Sequence, residues 1–249
     1  MSYLILALRF LTIVPVPGVE AAGAGALGRA AWWFPVVGFA IGACLVAVDR
    51  LLASAFPPLL GAILLVAVWK ILTGGLHLDG LADAIDGIAG RDPERRIAIM
   101  RDSHLGAFGA VALGLCLLIS VGALDAVPAA RRPAVLLLAP AIGRLAPVLI
   151  GPLFPAATPG QGSGAAFLEG LSPWATPVHV AWLWILAAAL FGSWGGLLMS
   201  LALAPVLLWG VFLASRLGGL TGDALGGSVE IGEMASLTAA AALMHVHLI

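Results

Sequence analysis

LGAFGAVALGLCLLISVGAL, Leu105–Leu124, runs for twenty residues without one charged side chain. A hydrocarbon core about 30 Å thick takes ~20 such residues to cross as a helix, so this stretch predicts a membrane span. Working outward, further spans are predicted at Ala31–Val48, Pro58–Leu76, Pro133–Gly151, Val178–Phe191 and Gly195–Ser215. A shorter segment, Ala235–Ile249, spans obliquely or lies at the interface. Ser2–Val14 reads as a re-entrant or surface segment. Pro35, Pro140, Pro147 and Pro205 predict kinks, and Trp32, Trp33, Trp174 and Trp194 near span ends read as interfacial anchors. The chain is 61% hydrophobic and 10% charged, with mean hydropathy +1.09, whereas soluble domains run near ~45–50% and ~25%. A water-soluble enzyme, a disordered chain and a basic nucleic-acid-binding module are excluded, and a net charge of −1 draws no polyanion. No nucleic acid partner is expected.

Lipid leaves no water for backbone groups, and the period-two alternation of a barrel is absent, so every span is helical. The expected fold is all-α: a polytopic transmembrane helix bundle of about 6–7 spans plus short amphipathic helices, residues 1–249 forming one integral-membrane domain. Cys44 and Cys116 lie in apolar runs, which argues against a disulfide framework. The opening MSYLILALRFLTIVPVP lacks a basic leader and a cleavage site, so no removed signal peptide is expected. With segment 77–104 placed in the cytoplasm, Arg9, Arg29, Lys70, Arg91, Arg95, Arg96, Arg101 and Arg216 fall inside. Arg50, Arg131 and Arg132 fall outside, the orientation favoured by basic inner loops.

Charge is concentrated. Of 12 basic and 13 acidic residues, eleven lie between Lys70 and Asp102. Within GGLHLDGLADAIDGIAGR, Gly74–Arg91, the acids Asp79, Asp83 and Asp86 are spaced four and three apart, an arc of about 60° on one helical face. Carboxylates so close repel each other, and a hard divalent cation such as Mg²⁺ resolves the conflict, binding through a few carboxylates, water and substrate phosphate. Gly80 and Gly87 are expected to open space beside them for a phosphoryl group. A solvated acidic face or a proton or cation pathway would use the same residues.

In RDPERRIAIMRDSHLGAFG, Arg91–Gly109, Asp92-Pro93-Glu94 has the form of a helix start. Arg91, Arg95, Arg96 and Arg101 are candidates for phosphate oxygens or for membrane anchoring. Asp102 is a candidate fourth metal ligand, and Asp102 or Ser103 a cap for the helix entering at Leu105. A second island, RLGGLTGDALGGSVEIGEM (Arg216–Met234), reads as a glycine-rich loop suited to phosphate or nucleotide contact. Thr221, Asp223 and Glu230 are its candidates, and the loop is expected to pack against the start of the charged segment. His77 is a candidate for a substrate contact or a structural hydrogen bond, and Arg144, inside a span, is a functional candidate by its position unless a helical carbonyl or another acid pairs with it. His245 and His247 are not expected to be ligands. The small-residue loops 18–28 and 156–166 suggest nothing further.

FLTIVPVP (Phe10–Pro17), WWFPVVGFAIG (Trp32–Gly42), GGLHLDGLADAIDGIAG (Gly74–Gly90), RRIAIMRDSHLGAFGAVAL (Arg95–Leu113) and GGLTGDALGGSVEIGE (Gly218–Glu233) together resemble the cobalamin synthase family, the adenosylcobinamide-GDP ribazoletransferases. HLDGLAD-x-x-DG followed by IMRDS-x-x-G is the specific part; positions 115–215 match only in hydropathy, and Gly227 stands where the family more often has Ala. The resemblance implies a multi-pass enzyme of the cytoplasmic (inner) membrane, its active site on the cytoplasmic side. Its expected partners are membrane lipid and two substrates, adenosylcobinamide-GDP and α-ribazole or its 5′-phosphate, with homo-oligomerisation left open. GMP leaves, Mg²⁺ is required, and the product belongs to cobalamin (vitamin B12) biosynthesis.

The expected site has Asp79, Asp83 and Asp86 as catalytic and metal-binding acids, with Asp102 as a further metal ligand. His77, Arg91, Arg95, Arg96, Arg101, Thr221 and Asp223 are the expected substrate contacts. A second likeness is partial. Asp83-x-x-Asp86-Gly87-x-x-Gly90-Arg91 looks like the first half of the CDP-alcohol phosphotransferase signature. Its second half is missing, since Met100, His104 and Phe108 occupy the positions that half requires. A CDP-alcohol phosphotransferase-like enzyme and a corrinoid or ion transporter are the alternatives.

Overall fold

The computed structural model describes residues 3–17, 23 and 25–246; part of the 18–28 loop, the last part of Ala235–Ile249 and His247 lie outside them. The helices are α1 (Tyr3–Leu11), α2 (Ala26–Ala30), α3 (Phe34–Ala55), α4 (Pro58–Leu72), α5 (Leu76–Gly87) and α6 (Pro93–Met100). They are followed by α7 (Ala107–Ala126), α8 (Arg132–Ile150), α9 (Gly162–Gly170), α10 (Ala175–Phe191), α11 (Gly195–Leu217) and α12 (Gly222–His245). Among the described residues there is no β-strand, only an isolated bridge between Ala156 and Leu220. The all-α expectation stands.

Four stretches are long and apolar enough to cross a membrane, Ala26–Ala55, Ala107–Ala126, Arg132–Leu153 and Ala175–Leu217, and the bent pair α4–α5 would make a fifth. The sequence predicted about six or seven. Two features account for the difference. Ala175–Leu217 joins α10 and α11 through a single turn at Gly192–Trp194, where Gly192 takes φ 61°. A Cβ on Gly195 would collide with the Ala187 carbonyl, which a continuous helix would leave ~12 Å away, so the chain doubles back there. α12 is absent from the apolar set and carries Asp223, Glu230 and Glu233.

Burial separates the centre from the rim. The apolar window of α8 is 83% buried and that of α7 only 22%. α7 turns Phe108, Val111, Leu115 and Leu118 outward, each more than half exposed, a stripe suited to lipid. α8 packs against α3, α10, α11 and α12, and α12 against α5, α7, α8 and α11. The crossing of α3 over α8 is close because Gly38 and Gly42 face it. Pro140 has no N–H to give the Leu136 carbonyl, and a Cβ on Gly42 would collide with that oxygen. Small residues four apart let two helices approach in this way. Gly42→Val is expected to lose about 1–3 kcal/mol through overpacking, read as a lower unfolding midpoint in detergent; an unchanged midpoint would contradict this contact. Pro35 causes no kink, because it occupies the first turn of α3, where its missing N–H has no partner to lose.

The site is placed by one corner. Gly74 and Gly75 adopt φ 64° and 67°, a left-handed pair that ends α4 at Leu72 and turns α5 by 90°. The expected span Pro58–Leu76 is shortened accordingly. α5 then rests on the first turns of α7 and α12 and lies at one end of the bundle.

Candidate active site

The three acids of α5 share a helix, but their surroundings differ. Asp86 is buried, at 8% exposure. Its two carboxylate oxygens accept from the backbone N–H of Gly106 and of Gly109, both at 2.8 Å. It caps α7 from a different helix, supplying two of the acceptors that a helix N-terminus lacks. A Cβ on Gly106 or Gly109 would collide with this carboxylate, which gives both glycines a reason to be there. Neither Asp102 nor Ser103 caps α7. Asp102 is exposed and bonds His104, by its backbone N–H at 3.1 Å and its Nδ1 at 2.6 Å. That pairing holds the Asp102 carboxyl below its ordinary range and raises the His104 imidazole.

Asp79 and Asp223, one from each island, line the same cavity, and Asp83 feels the charge of both. Asp79 is exposed and Asp83 half-buried. The Asp83 carboxyl is pushed up to about 6, by burial first and then by the charges of Asp79, Asp223 and Asp86. Asp223 is raised by burial, with Asp79 adding repulsion and Arg101 opposing it. The helices meet closely: a Cβ on Gly80 would lie 3.1 Å from the Asp223 carbonyl and 3.4 Å from the Gly226 Cα. Gly80 therefore admits the backbone of α12 and also lines a cavity with Asp79 and Asp223, whereas Gly87 admits the Met100 side chain. The second island is mostly not a loop. α12 begins at Gly222, with Thr221 as its N-cap accepting from the Ala224 N–H at 3.1 Å.

Two cavities meet at Asp223. One, of about 130 Å³, is lined by Phe10, Phe34, Phe167, His77, Asp79 and Asp223. The other, of about 120 Å³, has a polar lining that includes Arg101, Gln161, Ser163, Thr221 and Asp223. The N-termini of α9 and α12 touch here, a Cβ on Gly164 falling 2.5 Å from the Gly222 amide nitrogen. No side chain caps α9, and its first residues Gly162, Ser163 and Gly164 line the polar cavity. Ser163 and Gly164 line both cavities, although sequence reasoning drew nothing from the loop at 156–166. The signal was present: Gly162-Ser163-Gly164 directly precedes the apolar AAF, the form of a helix start.

The arginines divide. Arg101 reaches the polar cavity, and Arg91 and Arg95 are exposed. Arg96 donates to the Arg216 carbonyl at 2.7 Å, closing the C-terminal end of α11 on α6. Asp92 caps α6 by accepting from the Arg95 N–H at 2.8 Å, as its sequence context predicts. His77 is buried, with its Nδ1 lacking a partner, and it is held well below the ordinary imidazole range, chiefly by burial.

Glu230 belongs to a separate system. Lys70 Nζ reaches Glu230 at 2.5 Å and Glu233 at 2.6 Å, and Arg144 pairs with Glu233. All four are buried. This pairing accounts for the intramembrane Arg144.

Among the described residues, no three His, Cys, Asp or Glu side chains converge as a ready-made metal cage. Mg²⁺ does not need one: it usually keeps several waters and takes one or two carboxylates plus substrate phosphate. Burial lifts Asp83 first, and the charges of Asp79, Asp223 and Asp86 add repulsion; a divalent cation relieves that repulsion, so Asp79, Asp83 and Asp223 fit as donors. In this structure Asp86 is engaged by α7 at both oxygens and Asp102 by His104.

A family model described as cobalamin-5-phosphate synthase matches residues 3–241. The adenosylcobinamide-GDP ribazoletransferase of Syntrophobacter fumaroxidans is 39% identical over 240 residues, covering 95% of this chain and 97% of the relative. The proteins of that name from Pseudomonas paraeruginosa and Thiobacillus denitrificans are 42% and 38% identical, covering 96% and 95% of this chain and 97% and 94% of their own lengths. No solved structure matches the chain. With a match that runs from α1 into α12, this chain belongs to the cobalamin-5-phosphate synthase family.

Proposed function

We propose that the chain is a Mg²⁺-dependent adenosylcobinamide-GDP ribazoletransferase, a phosphotransferase of cobalamin synthesis whose leaving group is GMP. The observation that carries this reading is the meeting of Asp79 and Asp83 on α5 with Asp223 on α12, between a polar cavity and an aromatic one. An in-line transfer has two substrates to hold and a diphosphate to neutralise, and the site offers a compartment for each. Bound Mg²⁺ would draw negative charge off the diphosphate.

The chain's own residues do the rest. Arg101 and the first amides of α9 and α12 grip phosphate oxygens in the polar cavity. Asp79, Asp83 and Asp223 would hold the cation, and one of these acids would accept the proton of the attacking hydroxyl. Asp86 is a positioning residue, fixing α5 on α7. The excess of basic residues at this end of the bundle supports a cytoplasmic-facing site in the inner membrane.

Purified protein given adenosylcobinamide-GDP, α-ribazole phosphate and Mg²⁺ in nanodiscs is expected to release GMP. CMP release from a liponucleotide would instead make it a CDP-alcohol phosphotransferase. Uptake of corrinoid into vesicles with the nucleotide intact would make it a transporter.

Metal and proton compete for Asp83. Its folded-state carboxyl near 6 lies above the ordinary 3.8. The metal-free fold thus binds this proton more tightly than the unfolded chain does, and loses that stabilisation as pH rises through about 6. Such a carboxyl is ionised in roughly one molecule in ten at pH 5 and nine in ten at pH 7, so Mg²⁺ affinity should rise about tenfold between them. Titration calorimetry with Mg²⁺ alone tests this, and a pH-independent affinity would contradict it.

A further inference from the structure

We infer that the aromatic cavity beside Asp79 and Asp223 is the seat of the benzimidazole base of the ribazole substrate, and that it excludes the guanine of the other substrate. This rests on the transferase reading above. Phe34 is the middle of its aromatic wall: Phe10 stacks on it at 5.8 Å with rings 16° apart, and Phe167 lies 5.8 Å away on a tilt of 39°. Leu225 and Val229 of α12 and Pro147 of α8 complete an apolar enclosure. A flat bicycle stacks or edges well against such rings. A corrin macrocycle is far too large for about 130 Å³.

Polarity separates the two bases. Besides Asp79 and Asp223, the polar side chains of the lining are Ser163 and His77, the latter 4% exposed with a buried Nδ1 that no group in the protein satisfies. A benzimidazole joined to ribose keeps one ring nitrogen with a free lone pair and no N–H. One imidazole N–H answers that nitrogen in full. Guanine brings N–H donors and several acceptors along its edges, more than His77 and Ser163 can pair, and the remainder would face phenylalanine and leucine. The pocket therefore favours the base with fewer polar atoms. The attached ribose then extends toward Asp79 and Asp223, which line the same cavity, bringing a ribose hydroxyl beside the acids that would take its proton.

The test uses the full-length protein in nanodiscs, with α-ribazole as the calorimetric probe and separate KM values for the two substrates. His77→Leu removes the buried, unsatisfied polar partner. Gly226→Val narrows the slot from α12, where a Cβ would meet nothing nearer than 3.8 Å, and guards against misfolding of the first variant. Both variants are expected to weaken α-ribazole binding at least about tenfold, close to the worth of one hydrogen bond. The KM for adenosylcobinamide-GDP should stay within about twofold. A rise in the KM for adenosylcobinamide-GDP, with ribazole binding unchanged, would put guanine in the slot and overturn the inference. Unchanged ribazole binding in both variants would overturn it as well. Absence of GMP release by the wild-type protein would sink the transferase reading itself, a result distinct from either.

Discussion

Asp83→Asn is expected to stop GMP release while raising the unfolding midpoint of the metal-free protein. The two effects share one cause. Asp83 sits among Asp79, Asp86 and Asp223, and its carboxyl is lifted to about 6 by burial and by their charge. The neutral amide removes that repulsion and keeps the shape. It also removes a charge the cation needs, and loss of the electrostatic stabilisation of a phosphoryl transition state costs on the order of 10³-fold in rate, about 4 kcal/mol. Asp223→Asn should lose activity to a similar degree. Asp86→Asn has a different signature: the amide can serve only one of the two α7 N–H groups, at Gly106 and Gly109, so the midpoint falls. Turnover and thermal unfolding, measured on the same nanodisc samples, separate the roles. An Asp83→Asn protein that turns over normally at saturating Mg²⁺ would remove this acid from the site. One that is both inactive and less stable than wild type would assign it to packing.

The second large effect is structural. Glu233 is 2% exposed and answers both Arg144, 1% exposed, and Lys70. Glu233→Ala leaves Arg144 without its ion pair, hydrogen-bonded to the Pro140 carbonyl at 3.5 Å, and leaves Lys70 paired with Glu230. Breaking a buried pair from one side costs about 3–5 kcal/mol, because the remaining charge has no water to return to. Loss of folded yield, or a midpoint lowered by many degrees, is expected in detergent. The double change Glu233→Leu with Arg144→Leu should recover much of it, since an apolar pair of similar volume often replaces a buried ion pair at little cost. If Glu233→Ala were tolerated without loss, the network would not be holding α4, α8 and α12 together.

Elements governed by local chemistry were legible in the sequence. Leu105–Leu124 and Gly195–Ser215 had to be helices because lipid offers their backbones no other partners, and they appear as α7 and α11 within two residues at each end. Asp92 had to start a helix because its side chain, followed by proline, reaches its own N3 amide. Asp79, Asp83 and Asp86 were placed on one helix by their spacing alone. What each acid faces was not legible. Asp86 turns to α7 and Asp79 to the cavity although both lie on the stripe that spacing defines, because α5 crosses two helices at once. What the glycines beside the acids meet was not legible for the same reason: Gly80 has its closest contact with the backbone of α12, and Gly87 with the Met100 side chain.

The folding-back of α10 on α11, the entry of Ser163 into the site, and the pairing of Lys70 and Arg144 with two glutamates of α12 were decided by tertiary structure alone. Hydropathy and helical period fix where a side chain points on its own helix. Which neighbour it meets depends on crossing angles and on small residues that let backbones touch, and those are properties of pairs of helices distant in sequence.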